Sequence, residues 1–365
     1  MTDIATPGVV PAPVPDIAAA PIVEEPASGD GGPPVAGEEP PQHRRRRRAL
    51  LIFLMLLLGA FLLFTGWYLI YRKPVTELPL PGVTVEDLPQ YKFSIYGVTA
   101  PTGVAVNADG SRIYATQTEG DPMVVEFDGS GKQIASLKPP VDVKGNHVPV
   151  YVALNPTSGD VYVSDRGTGA IYVYAADGGY RRTFDPGPEL KGWAPLGLAF
   201  DARGHLFVTN IGKPYQAVHE FGPDEQFIQT FGKPDELDFP NGVSVDGGGN
   251  VYVTDSNNGR LVVFDPTGKR VSLVKRGASE ADLGLPRGSA IDDASRFYVA
   301  DISLHGVQIY HTVVPGDRTP KYIGRFGVEG SADGAFLFPN AVAVDGRSRI
   351  YVADWRNGRI QVWGY

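Results

Sequence analysis

Six positions, each directly after a proline and 45 to 53 residues from the next, hold the side chains best placed for chemistry. They are Thr102, Val150, Leu196, Asn241, Arg287 and Asn340. Two are apolar, whereas Asn241, Arg287, Asn340 and Thr102 are polar, so any shared site is one-sided. An arginine between two amides offers N–H donors to a small anion. A fixed cation there is unfavourable for a hard divalent ion, and none of the six positions is acidic. The plain alternative is that these residues cap strand starts and fill space.

A second recurrent set is carboxylic: Asp165, Asp255, Asp301 and Asp354. Each closes a Val/Tyr-rich run and opens a polar loop, where an Asp ordinarily accepts backbone N–H bonds. Arg260 and Arg359 stand where they can pair with two of them. We read the set as architecture, not as a ring of catalytic acids. Of the six histidines, only His147 and His305 fall on the same rim, too few for the three-ligand open site of catalytic zinc. Nucleophile-elbow, HExxH and phosphate-loop signatures are missing from the chain. The sequence therefore assigns no catalytic residue and no metal ligand, and requires no cofactor. Long linking loops carry Tyr151, Trp193 and Phe336, which with His147 and His305 are candidate rim contacts for a partner.

The elements that position these residues are short strands. PNAVAVDGRSRIYVADWRNGRIQVW (Pro339 to Trp363) reads as three strands separated by Gly/Asn/Asp turns, and Pro240 to Phe264 repeats it closely. Looser copies begin at Pro101, Pro149, Pro195 and Pro286. A period near 45 residues built from strands alone predicts an all-β ring of six blades. A fourth strand follows most copies, as in FIQTFG (227–232) and YIGRFG (322–327). The last copy lacks one, and YKFSIYG (91–97), ahead of the first, matches its pattern. That segment is predicted to complete the last sheet and close the ring. The Pro-x-Gly starts, the Asp-bearing loops and the blade-linking loops then share one rim.

These copies resemble NHL repeats, with P-x-G-V-A-V-D and I-Y-V-A-D-x-x-N-x-R-I-x-V as the shared pattern, from about residue 91 to 365. The resemblance implies a six-bladed β-propeller of NHL type and little about chemistry. Similarity to calcium-dependent lactonase propellers would make Asn241, at an Asn-Gly step, a metal ligand, with Asn340 a partial match. Similarity to amidating lyases would demand converging histidines. Some NHL proteins bind RNA, but a net charge of −8 gives no electrostatic reason for nucleic acid.

Ahead of the ring, residues 1–48 are Pro/Ala-rich, end in Arg44 to Arg48, and read as a disordered cytoplasmic tail. Residues 49–71 carry no charge and are long enough for a transmembrane helix, with the arginine run on the cytoplasmic side. Residues 72–90 read as a Pro-rich stalk, which puts the propeller, residues 91–365, outside the cytoplasm on a single-pass anchor in the cell membrane. The chain has no cysteine, hence no disulfide framework. The expected function is binding of, or scaffolding for, a protein, peptide or cell-envelope ligand. The alternative is a lactonase- or lyase-like enzyme working at the channel mouth, with calcium the metal its resemblance implies.

Overall fold

The computed structural model describes residues 41–71, 88–213, 216–275 and 283–365. Residues 1–40 of the expected tail (1–48) and 72–87 of the expected stalk (72–90) lie outside the described residues. The chain divides into two compact units, Met1–Pro81 and Gly82–Tyr365.

The first unit contains one helix, Pro41–Tyr71, which takes in the arginine run Arg44 to Arg48. Its described side chains are apolar from Leu50 to Phe64 and nearly all exposed. Among the described residues no helix is long and apolar enough to cross a membrane.

The second unit is a ring of six four-stranded antiparallel sheets, with one two-stranded parallel pair, Val328–Glu329 and Ala335–Phe336. Each blade starts with an inner strand: Pro101–Val106, Pro149–Leu154, Pro195–Phe200, Pro240–Val245, Pro286–Ile291 and Pro339–Val344. Each inner strand neighbours the next, and the last neighbours the first. The second strands are the most buried, because sheets cover both of their faces. Val251–Asp255 and Ile350–Asp354 are buried at every residue. Such strands read as continuous apolar runs, as buried β-branched and aromatic strands do.

The last sheet closes the ring. Its order runs from Pro339–Val344 outward through Ile350–Asp354 and Arg359–Gly364 to Gln90–Ile95, the first strand of the unit. Tyr91 pairs with Trp363 and Ile95 with Ile360, as the sequence predicts.

The core lies between blades. Phe326, Tyr298 and Ile309 of blade five meet Val342, Val352 and Trp363 of blade six. Phe336, expected as a rim contact, is fully buried in this seam, 5.5 Å from the Trp363 ring. Burying such a ring stabilises by roughly 1.5–3 kcal/mol, and a blade alone has nothing to bury it against. That energy holds Phe336 inside, so it is corrected from partner contact to core.

Candidate functional site at the channel mouth

Close packing of the inner strands sets the channel. A Cβ on Gly242 would stand 2.6 Å from the Arg287 carbonyl oxygen of the next blade. Only a residue without a side chain lets the two backbones approach so nearly. A hydroxyl from the second strand completes each contact in blades one to four. Thr254 Oγ1 accepts from Gly242 N at 2.6 Å and donates to Arg287 O. Thr116, Ser164 and Thr209 make the same bridge to the carbonyls of Val150, Leu196 and Asn241. Blades five and six have Ala300 and Ala353 there.

Blade two breaks the glycine pattern with Tyr151. Its ring enters the channel and its hydroxyl donates to Asn241 Oδ1 of blade four. Tyr151 was expected at the rim; it is instead buried on the axis. What remains of the channel is a cavity of about 40 Å³, touched by all six inner strands. Burial pushes the Tyr151 phenol above its ordinary pKa, so the hydroxyl stays protonated and can donate.

The mouth lies above this plug. Blades two and five face each other across a six-membered ring, and Tyr151 and Arg287 from those blades act on each other's ionisation. The Arg287 guanidinium sits over the Phe239 ring, 5.7 Å from its centroid, and its buried Nε has no hydrogen-bond partner among the described residues. Burial lowers its pKa from the usual arginine value, and the nearby Arg166 charge lowers it further. Asn340 donates through Nδ2 to Thr102 O, and Thr102 Oγ1 donates to Val150 O at 3.1 Å. These two link blades six, one and two. Of the four polar mouth positions, the structure thus turns Asn241 onto Tyr151, couples Asn340 to Thr102, and leaves Arg287 without a carboxylate among the described residues.

Phe239 and Phe338 stand directly before the prolines of blades four and six with φ of 54° and 59°. A left-handed backbone is uncommon for bulky residues, and a following proline restricts them further. The Asp loops hold these segments: Ser256 N donates to Phe239 O and Arg356 N to Leu337 O. Matching bonds join Arg166 N to Val148 O and Ile302 N to Leu285 O, so the Pro starts and the Asp loops share one rim. Phe338 is exposed there, 6.2 Å from Trp355, whose buried Nε1 has no partner among the described residues.

The strand-end carboxylates are architectural. Asp165 Oδ1 accepts from Val148 N at 3.0 Å, Asp255 from Asp238 N at 2.7 Å and Asp354 from Leu337 N at 2.8 Å. Asp301 accepts from Gly284 N and Leu285 N. Asn210 and Gln117 take the same role for Ala194 N and Thr99 N. Arg260 and Arg359 donate to Asp255 and Asp354 at 2.6 and 2.9 Å.

The remaining rim candidates are half-buried and engaged. His147 bridges Asp165 Oδ2 at 2.7 Å and Val143 O at 3.1 Å. Trp193 stacks on Phe184 and borders His219. His305 accepts from Phe338 N at 3.2 Å. Among the described residues no group of three or more His, Asp or Glu is arranged to hold a metal. Asn241, which the lactonase resemblance would make a ligand, has its carbonyl oxygen occupied by Tyr151.

Sequence reasoning missed Tyr151 as the plug, and Arg166, Phe239 and Trp355 as neighbours of the mouth. The first had a signal, Pro-Val-Tyr where other copies read Pro-x-Gly or Pro-Asn-Ala. Arg166 and Trp355 had none, since loop residues carry no periodicity.

Comparison with known proteins places these features. Residues 237–264 and 336–363 match the NHL repeat. The chain is 28% identical over 199 residues to NHL repeat-containing protein 3 of Mus musculus, a match covering 49% of this chain and spanning 56% of that protein's length. A streptogramin B lyase superposes with a TM-score of 0.52 at 14% identity, covering 74% of this chain and 96% of the other. A chain of a nidogen/laminin complex gives 0.48 at 19% identity, covering 59% and 76%. Repeat and architecture together make this chain a six-bladed β-propeller, two of whose blades match the NHL repeat.

Proposed function

We propose that the propeller is a binding or scaffold module that takes a protein, peptide or cell-envelope ligand on its Asp-bearing rim. In this reading residues 49–71 tether it to the cell membrane as a single-pass helix and the ring lies outside the cytoplasm. One observation supports the rim most: its strand-end carboxylates are used up in holding the linkers, while two of the four buried groups without a hydrogen-bond partner among the described residues, Arg287 Nε and Trp355 Nε1, belong to that same rim. A rim with an exposed aromatic above unused buried donors, and no free acid–base pair among the described residues, is suited to contact rather than turnover.

The test is site-directed photocross-linking in intact cells. A photoreactive phenylalanine at Phe338 is expected to capture a partner, and one at Ser348 on the opposite rim is not. Capture from Ser348 alone overturns the assignment of the rim. Because the chain lacks cysteine, Tyr365→Cys also makes a clean topology reporter. Labelling by a membrane-impermeant thiol reagent is expected, and protection until lysis would refute an outward ring.

A further inference from the structure

We propose that the channel mouth is a carboxylate-binding site with Arg287 as the receiving cation. The proposal rests on the binding-module reading and names the chemistry its ligand would bring.

The argument starts from how the ring treats its other arginines. Arg260, Arg296, Arg349 and Arg359 are buried or half-buried, and each donates Nε to an Asp at 2.6 to 2.9 Å. Burying a cation is strongly unfavourable unless it is paired, and the fold supplies the partner four times over. Arg287 is withdrawn from water in the same way, yet has no carboxylate among the described residues. What surrounds it is an aromatic face, a phenol, and a second cation, Arg166. Among the described residues the charges acting on Arg287 are therefore positive, with no carboxylate to balance them.

The neighbouring donors point the same way. Tyr151 fixes Asn241 by donating to its Oδ1, and Asn241 Nδ2 then has no partner among the described residues. Tyr151 is thus shared by both groups, bonded to Asn241 and acting on Arg287, and a guanidinium fork matches the two in-plane oxygens of a carboxylate. The planar fork pairs with a carboxylate in its own plane, and the Phe239 ring on one side of it offers no donor to an oxygen out of that plane. The clasp from Thr254 to the Arg287 carbonyl holds the backbone that presents the fork. The ring thus sets the cation in place before a ligand arrives, which lowers the ordering cost of binding.

The experiment uses the full chain in lipid nanodiscs, titrated with sodium acetate against sodium chloride at constant ionic strength, with thermal unfolding as readout. A ligand that binds only the folded state raises the midpoint with its concentration. A saturable rise is expected for the wild type and no rise for Arg287→Met, a variant expected to melt at or above the wild type without acetate because it removes an unpaired buried cation. Arg287→Lys, which loses the fork, should need at least about ten-fold more acetate for half the shift. A flat wild-type titration, an equal shift in Arg287→Met, or a response to inorganic phosphate but not acetate would each overturn the proposal. The rim reading fails separately: cross-links from Phe338 alongside a flat titration sink only the carboxylate site, whereas an Arg287-dependent titration without cross-links supports the site and removes the partner.

Discussion

Tyr151 and Asn241, ninety residues apart, are joined across the propeller axis by a buried hydroxyl-to-carbonyl hydrogen bond. The bond makes the channel a closed structure and fixes the amide that faces the mouth. Tyr151→Phe keeps the ring and removes the donor, leaving Asn241 Oδ1 buried and unpaired. We expect a loss of about 1–3 kcal/mol in urea denaturation. Tyr151→Gly restores the glycine of the repeat pattern, yet should cost more, about 3–5 kcal/mol, through the cavity it opens. A neutral Tyr151→Gly would show that the plug carries no structural weight.

The hydroxyl bridges between blades invite a second substitution. Thr254→Val preserves shape and leaves Gly242 N and Arg287 O without their shared partner. We expect a loss of about 1–3 kcal/mol by denaturant midpoint, with an unchanged denaturant slope. The equivalent positions Ala300 and Ala353 show that a ring tolerates some blades without the bridge. A Thr254→Val protein as stable as wild type would reduce these bonds to decoration.

Six blades, the face assignment and the strand that closes the ring were legible because each rests on a periodic signal. Pro-x-Gly starts, Asp ends and a missing fourth strand can all be counted along the chain. The site was legible only in part. Arg287, Asn241, Asn340 and Thr102 stand out because they occupy equivalent repeat positions, but what they touch depends on contacts across the ring. Tyr151 and Phe336 illustrate the limit: both are aromatic residues near linking loops, which looks like a rim. Burial of their rings inside the channel and the blade-five seam overrides that local context. No sequence window of one repeat contains both Tyr151 and its partner.

Closure of the ring is the third prediction. Ile95 is buried against Ile360 in the strand that ends the last sheet, while the next residue, Tyr96, is exposed. Ile95→Asp places an unpaired charge in that seam and should destabilise by more than about 3 kcal/mol. Tyr96→Phe, one residue along, gives up only the hydroxyl's hydrogen bond to Arg359 and should cost no more than about 1.5 kcal/mol. Trp363, whose ring meets Tyr91 edge-on at 5.9 Å, gives a fluorescence report of the opening seam. Equal effects of the two substitutions would mean the strand is not held in this register.

Acid sensitivity provides the last. His219 lies in the third strand of blade three, buried beside Trp193 and Phe227, with Nδ1 3.0 Å from Thr230 Oγ1. Burial drives its pKa down to about 4 from 6.5, and no carboxylate offsets this. The unfolded chain therefore binds a proton that the folded one refuses between those two values. His219 leaves stability untouched above pH 6.5, withdraws it progressively as pH falls toward 4, and adds no further loss below that. The full effect is on the order of 3 kcal/mol. His219→Leu removes the titrating group, and the carboxylates common to both proteins cancel in the difference. Plotted against pH, wild-type stability minus variant stability should be level above 6.5 and fall between 6.5 and 4. A level difference throughout would mean that the imidazole is already solvated, or charged, inside the ring.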